Sequence, residues 1–80
     1  MKIELRKRGP RGEPGESIGS TDGTAKSDNI FELNPPLENV RRGHYFLCIE
    51  GYEPDAYRIL KTSEVIYSIR LSTLPPKKAA

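Results

Sequence analysis

Cysteine, histidine and methionine each occur once in these 80 residues, and tryptophan not at all. One cysteine cannot form an intramolecular disulfide, which fits a reducing, cytoplasmic setting. One histidine and one cysteine also fall short of the four ligands of a structural zinc site. If His44 and Cys48 share a strand, they face the same way but lie roughly 13 Å apart, too far for a thiolate–imidazole nucleophile. Cys48, set among Phe46, Leu47 and Ile49, reads as a small buried hydrophobe, and His44, after Gly43, as a rim residue. Glu50, Glu53 and Asp55 cluster on a turn but lack EF-hand spacing. There is no G-x-S-x-G elbow, and Gly9, Gly12 and Gly15 lack the Gly-Lys-Ser/Thr of a phosphate-binding loop. No stretch approaches the ~18 apolar residues of a membrane span, and MKIELRKRGPRG has no apolar signal run. No enzyme, cofactor or metal is expected, and the chain reads as soluble and cytoplasmic.

The charge that is present is segregated. Residues 1–11 carry Lys2, Arg6, Lys7, Arg8 and Arg11 against Glu4 alone, and Lys77 and Lys78 stand at the other end. Between Asp28 and Leu74, Arg41, Arg42, Arg58, Lys61 and Arg70 are outnumbered by seven carboxylates. Attraction to an anionic partner would thus come mainly from the ends.

Apolar residues are segregated too. All six aromatics, Phe31, Tyr45, Phe46, Tyr52, Tyr57 and Tyr67, lie between 31 and 67. Core formation needs that area to offset the entropy of ordering the chain, so a β-rich domain is expected over 28–74. Ile3 and Leu5 alternate with charged residues, making 1–8 a basic arm and candidate edge strand. Residues 9–27, rich in Gly, Pro, Ser and Thr, have the composition of a flexible linker. Their opening, GPRGEPGES, mimics collagen triplets, but Ile18 breaks the period where the next glycine should stand. Around Asn34-Pro35-Pro36 the residues suit a short helical turn: Asn34 as cap, Pro35 in the first turn, Gly43 as terminator. Three strands follow. HYFLCIE, nearly all apolar, reads as a central strand buried on both faces. YRILK follows the turn GYEPDA, and a Thr62-Ser63 break leads to EVIYSIRL, where Val65, Tyr67, Ile69 and Leu71 would face inward. Residues 75–80 form a basic tail. The expected fold is mainly β: a small antiparallel meander or open SH3-like barrel, with one short helical turn and a flexible N-terminal region.

With no catalytic set, a binding role is expected. Tyr45, Tyr52 and Tyr57 around the first hairpin are candidate anchors for a protein partner, with Arg41 and Arg42 as a charged rim. An exposed strand edge could pair with a partner strand. The alternative is nucleic acid, contacted by Arg6, Lys7, Arg8 and Arg11 of the arm and by Arg58 and Arg70 beside tyrosines. A third reading, a small virion component, would give the Gly-X-Y stretch an assembly role.

The body GHYFLCIEGYEPDAYRILKTSEVIYSI, with Thr62-Ser63-Glu64-Val65 after its strand–turn–strand, resembles short proteins encoded by phages and prophages. The resemblance covers about the last half of the chain. It implies binding and redirecting a host or phage macromolecule without chemistry, as inhibitors of host complexes do, in the host cytoplasm. It carries over no site residues.

Overall fold

A computed structural model describes residues 1–62 and 64–79, and of Glu64 the backbone alone. Ser63 of the expected Thr62-Ser63 break and Ala80 of the tail lie outside the described residues. Six strands are present: β1 (Lys2–Arg8), β2 (Pro14–Ser27), β3 (Ile30–Val40), β4 (Gly43–Ile49), β5 (Asp55–Ile59) and β6 (Glu64–Arg70). They form one sheet in the order β5-β4-β1-β2-β3-β6, every neighbour antiparallel. The sheet curls into a half-barrel, as expected of a mainly β chain of this length. The core lies on its inner face.

The N-terminal third departs most from its sequence reading. Residues 1–8 are neither arm nor edge: β1 sits inside the sheet, laddered to β2 on one side and β4 on the other. Ile3 and Leu5, with exposures of 0% and 1%, lie at the heart of the core. Residues 9–27 form no linker but a tight turn and the longest strand. The Gly-X-Y stretch makes the turn: Gly12 N–H donates to Gly9 O and Gly9 N–H to Glu13 O, with Gly12 at φ 77°. That left-handed conformation favours glycine. The small residues of β2 have a packing reason as well. A strongly curled sheet has little room on its inner face, and β2 places Gly19, Thr21 and Gly23 there. A methyl group on Gly23 would collide with Ile3 Cδ1, and one on Gly19 would press on Leu37 Cδ2 at 3.2 Å. Small size therefore serves close packing, not flexibility.

The helical turn is not formed, and there is no helix among the described residues. Asn34-Pro35-Pro36 is absorbed into β3 as a bulge. Glu32 pairs with Ser68 and Leu37 with Ile66, so residues 33–36 of β3 face Tyr67 alone. Prolines, which cannot donate to a ladder, are tolerated in such a bulge. The Thr21 hydroxyl donates to Pro35 O across it. A second irregularity follows at Asn39, φ 59°, a conformation asparagine tolerates. Leu37 keeps the inward alternation of Phe31 and Leu33, and the irregularity at Asn39 turns Val40 inward three residues later; both are buried.

β4 and β6 lie where expected, whereas β5 starts two residues early, at Asp55 inside the expected turn, and ends at Ile59; two facings are also corrected. β4 is buried on one face only: Tyr45, Leu47 and Ile49 point inward, while His44 is exposed and Phe46 and Cys48 are half-covered. On β6 the inward residues are Ile66 and Ile69, with Leu71 just beyond, and Val65 and Tyr67 point outward. Ile66 and Ile69 are three apart, so the alternation that the sequence pattern alone would continue breaks at Tyr67-Ser68, opposite the β3 bulge. The C-terminal tail folds back on the β4–β5 turn: Tyr52 bridges Lys77, Glu53 N–H donates to Pro76 O, and Lys78 N–H to Gly51 O.

Candidate functional site

Every neighbouring pair in the sheet is laddered, which leaves β5 and β6 as its two margins. Five antiparallel steps separate them, so they run antiparallel to each other. They are consecutive in the chain, joined by residues 60–63, yet no ladder joins them among the described residues. The curl brings these margins to the two sides of one groove. Near the connecting loop it has a volume of about 410 Å³, between Arg58, Ile59 and Leu60 of one margin and Val65, Ile66 and Tyr67 of the other. It continues between Ala56 and Arg58 on one side and Arg70 and Ser72 on the other. Ile59 and Ile66 floor the seam as members of the core.

The seam gathers three of the six exposed large apolar side chains among the described residues. Leu60 is 71% exposed, Tyr67 65% and Val65 40%. Met1, Ile18 and Leu74, the other large apolar residues with comparable exposure, are scattered. Clustering of this kind on a strand edge is what a soluble fold normally avoids. The rim is cationic: Arg42, Arg58 and Arg70 line the seam and its closed end, against Asp55. Arg42 N–H donates to the Thr62 hydroxyl at 3.5 Å, tying the β3–β4 turn to the loop that closes the seam.

No family model, characterised protein or solved structure matches the chain. The site therefore stands on its own geometry.

Of the residues singled out from sequence, the tyrosines are the most altered by folding. Tyr45 is no exposed anchor: it is 8% exposed, and its hydroxyl donates to Arg41 O at 2.6 Å, satisfying a buried polar atom. Tyr52 and Tyr57 are half-covered and pack against the core. Tyr57 sits on the inner face opposite Tyr45. Arg41 and Arg42 are exposed on the β3–β4 turn, and Arg42 shares a cleft with Arg58 and Leu60 beside the seam.

The basic residues scatter over several surfaces. Arg6 is held by Glu4, Nε to Oε1 at 2.7 Å, and by Gly15 O at 2.8 Å. These bonds hold the Glu4 carboxyl below its usual range, Arg6 first and a Ser17 hydrogen bond second. Arg11 stands on the β1–β2 turn, and Lys7 and Arg8 end β1, all exposed. Arg58 and Arg70 come together along the seam, although 12 residues apart in sequence. Cys48 is half-covered on the outer face, where burial pushes its thiol up despite the nearby Arg6. Among the described residues no three His, Cys, Asp or Glu side chains gather as metal ligands, and no helix is long and apolar enough to cross a membrane.

Leu60 and Val65 were missed by the sequence reading, which singled out Tyr67 only as the neighbour of Arg70. Strict alternation assigns Val65 and Tyr67 to the core, and only the irregular pairing of β6 with its neighbour β3 reverses them. Leu60 had a signal: YRILK alternates Tyr57, Ile59 and Lys61 against Arg58 and Leu60, which leaves Leu60 on the solvent face.

Proposed function

We propose that the protein is a non-enzymatic protein-binding module that captures an extended, acidic segment of a partner along the β5–β6 seam. The open seam carries this reading: two unladdered strand margins, three outward apolar side chains and an arginine rim lie along one groove. A partner strand would gain main-chain hydrogen bonds from one margin and seat alternate side chains on Leu60, Val65 and Tyr67. Acidic side chains on that strand would meet Arg58 and Arg70. Because β5 and β6 run antiparallel, an inserted strand is antiparallel to one margin and parallel to the other. The antiparallel pairing contributes slightly more per residue.

The margins are short. Five to seven residues at about 3.3 Å each make an interface below the ~1,200 Å² of a standard complex, which suits reversible capture of a peptide segment. The shortage of convergent catalytic groups supports a role without chemistry. With the phage-like pattern of the second half, the seam suits a modulator or inhibitor of a host protein complex in the cytoplasm.

The test is a nuclease-treated pull-down from the native host, repeated with Leu60→Ser and Tyr67→Ser, followed by hydrogen exchange on the recovered complex. The expected result is a stoichiometric partner lost in both variants, with new amide protection on β5 or β6. Retention of the partner by both variants, or protection confined to other strands, sinks the reading.

A further inference from the structure

The outer face of β1, β4 and β5 holds an arrangement that shares only Arg58 with the seam rim. Register pairs His44 with Arg58, and the Lys7–Tyr45 pair places Arg8 on the other flank of His44. Three nitrogen donors from three strands therefore stand in a row across two strand spacings, roughly 10 Å. Two residues along the strands, register aligns Arg6, Phe46 and Ala56. Arg8, His44, Phe46, Ala56 and Arg58 line a single cleft of about 260 Å³. Ala56 is too small to cover the flank of Phe46 that faces it.

Among the described residues no ion pair compensates the charges in this row. Arg6 is engaged by Glu4 and Gly15, but neither the Arg8 nor the Arg58 guanidinium has an ion-pair or hydrogen-bond partner among the described residues. Glu13, on the turn beside Arg8, packs its carboxyl over Gly9 instead. Basic side chains placed side by side across a sheet are unfavourable, and a bound anion would relieve that cost. Donors spread along a line suit successive phosphates on a strand better than one phosphate group, which a convergent pair of arginines would hold. An aromatic ring beside the line suits a nucleobase.

We propose that this cleft binds single-stranded nucleic acid, with Arg8, His44 and Arg58 on the phosphates and Phe46 stacking a base. Arg58 lies between cleft and seam, so Arg8 and Phe46 separate the two surfaces. The inference does not depend on the protein-binding reading.

The test is fluorescence anisotropy with ~12-nucleotide oligo-dT and oligo-U, a duplex of equal length and a phosphoserine peptide, at about 50 and 200 mM salt. Both single strands should bind at the lower salt, more tightly than the duplex or the peptide. Arg8→Ser and Arg58→Ser should each reduce the salt slope by about 1. Phe46→Leu should weaken binding about fivefold or more, while Leu60→Ser and Tyr67→Ser leave it unchanged. Absence of binding at low salt, indifference to Arg8→Ser, or preference for the duplex or the phosphopeptide overturns the proposal. Arg8 is exposed, so its variant carries the test even if Phe46→Leu does not fold.

Discussion

Strands β1 and β6 are the two most instructive regions of the sheet, because each occupies the place its composition suits least. KIELRKR is the most charged strand, yet it lies inside the sheet with both edges laddered and two side chains fully buried. EVIYSIR is far more apolar, yet it forms a margin with Tyr67 and Val65 in solvent. A strand's position follows from how many neighbours accept its backbone and what its inward positions touch. For β1, two inward apolar residues suffice, since the outward positions remain wet and tolerate charge. For β6, one neighbour and a shifted alternation leave apolar surface that a partner can cover.

The sharpest way to break this comparison is to truncate each strand. Leu5→Ala on β1 should cost about 2–5 kcal/mol of stability in urea unfolding, as buried leucine truncations do. A cost below about 1 kcal/mol would mean that the charged strand is not part of the core. Next in size is Gly23→Ala, which forces a methyl group against Ile3 and should cost about 1–3 kcal/mol by overpacking. A neutral or stabilising result would restore the reading of β2 as a permissive linker.

A smaller effect concerns the charges on β1. Glu4 has its carboxyl lowered from its ordinary 4.5, chiefly by Arg6. A lowered folded-state value means that the pair adds stability above about pH 4.5 and loses it as pH falls through the folded value. The contribution should be under about 1 kcal/mol for a partly exposed pair. Glu4→Gln should therefore flatten the acid limb of the stability–pH curve and leave the neutral region little changed. An unaltered acid limb would show that the ion pair does not persist in solution. The smallest effect belongs to the margin. Tyr67→Ser should move stability by no more than about 0.5 kcal/mol, as outward substitutions do. A loss of 2 kcal/mol or more would place Tyr67 in the core and remove it from the seam.

Cys48 and Phe46 show how far one chain read alone can go. Both were legible as strand residues, and the strand is there. Whether HYFLCIE is covered on one face or two depends on what lies above the sheet, and here the other face is solvent. Pro35 and Pro36 misled in the opposite way. They carry helix-start chemistry locally, but β2 and β6 flank that segment and give the backbone ladder partners that a short helix lacks. The candidate site was barely legible. Arg58 and Arg70 were picked out for charge and neighbouring tyrosines, and they do meet at the seam. Val65 and Tyr67 became surface only through the irregular pairing of β6 with its neighbour β3.

By itself the sequence determined that the chain is mainly β and that β4, β5 and β6 follow one another, with a turn after Gly51. Those properties depend on local pattern and on residue types, which need no third dimension. Tertiary structure decided that the first 27 residues supply the two central strands of the six, because two apolar side chains and three small residues only make a core layer when the later strands cover them. It also decided where the working surfaces lie, since an open seam and a row of cations across three strands are relations between residues distant in the chain.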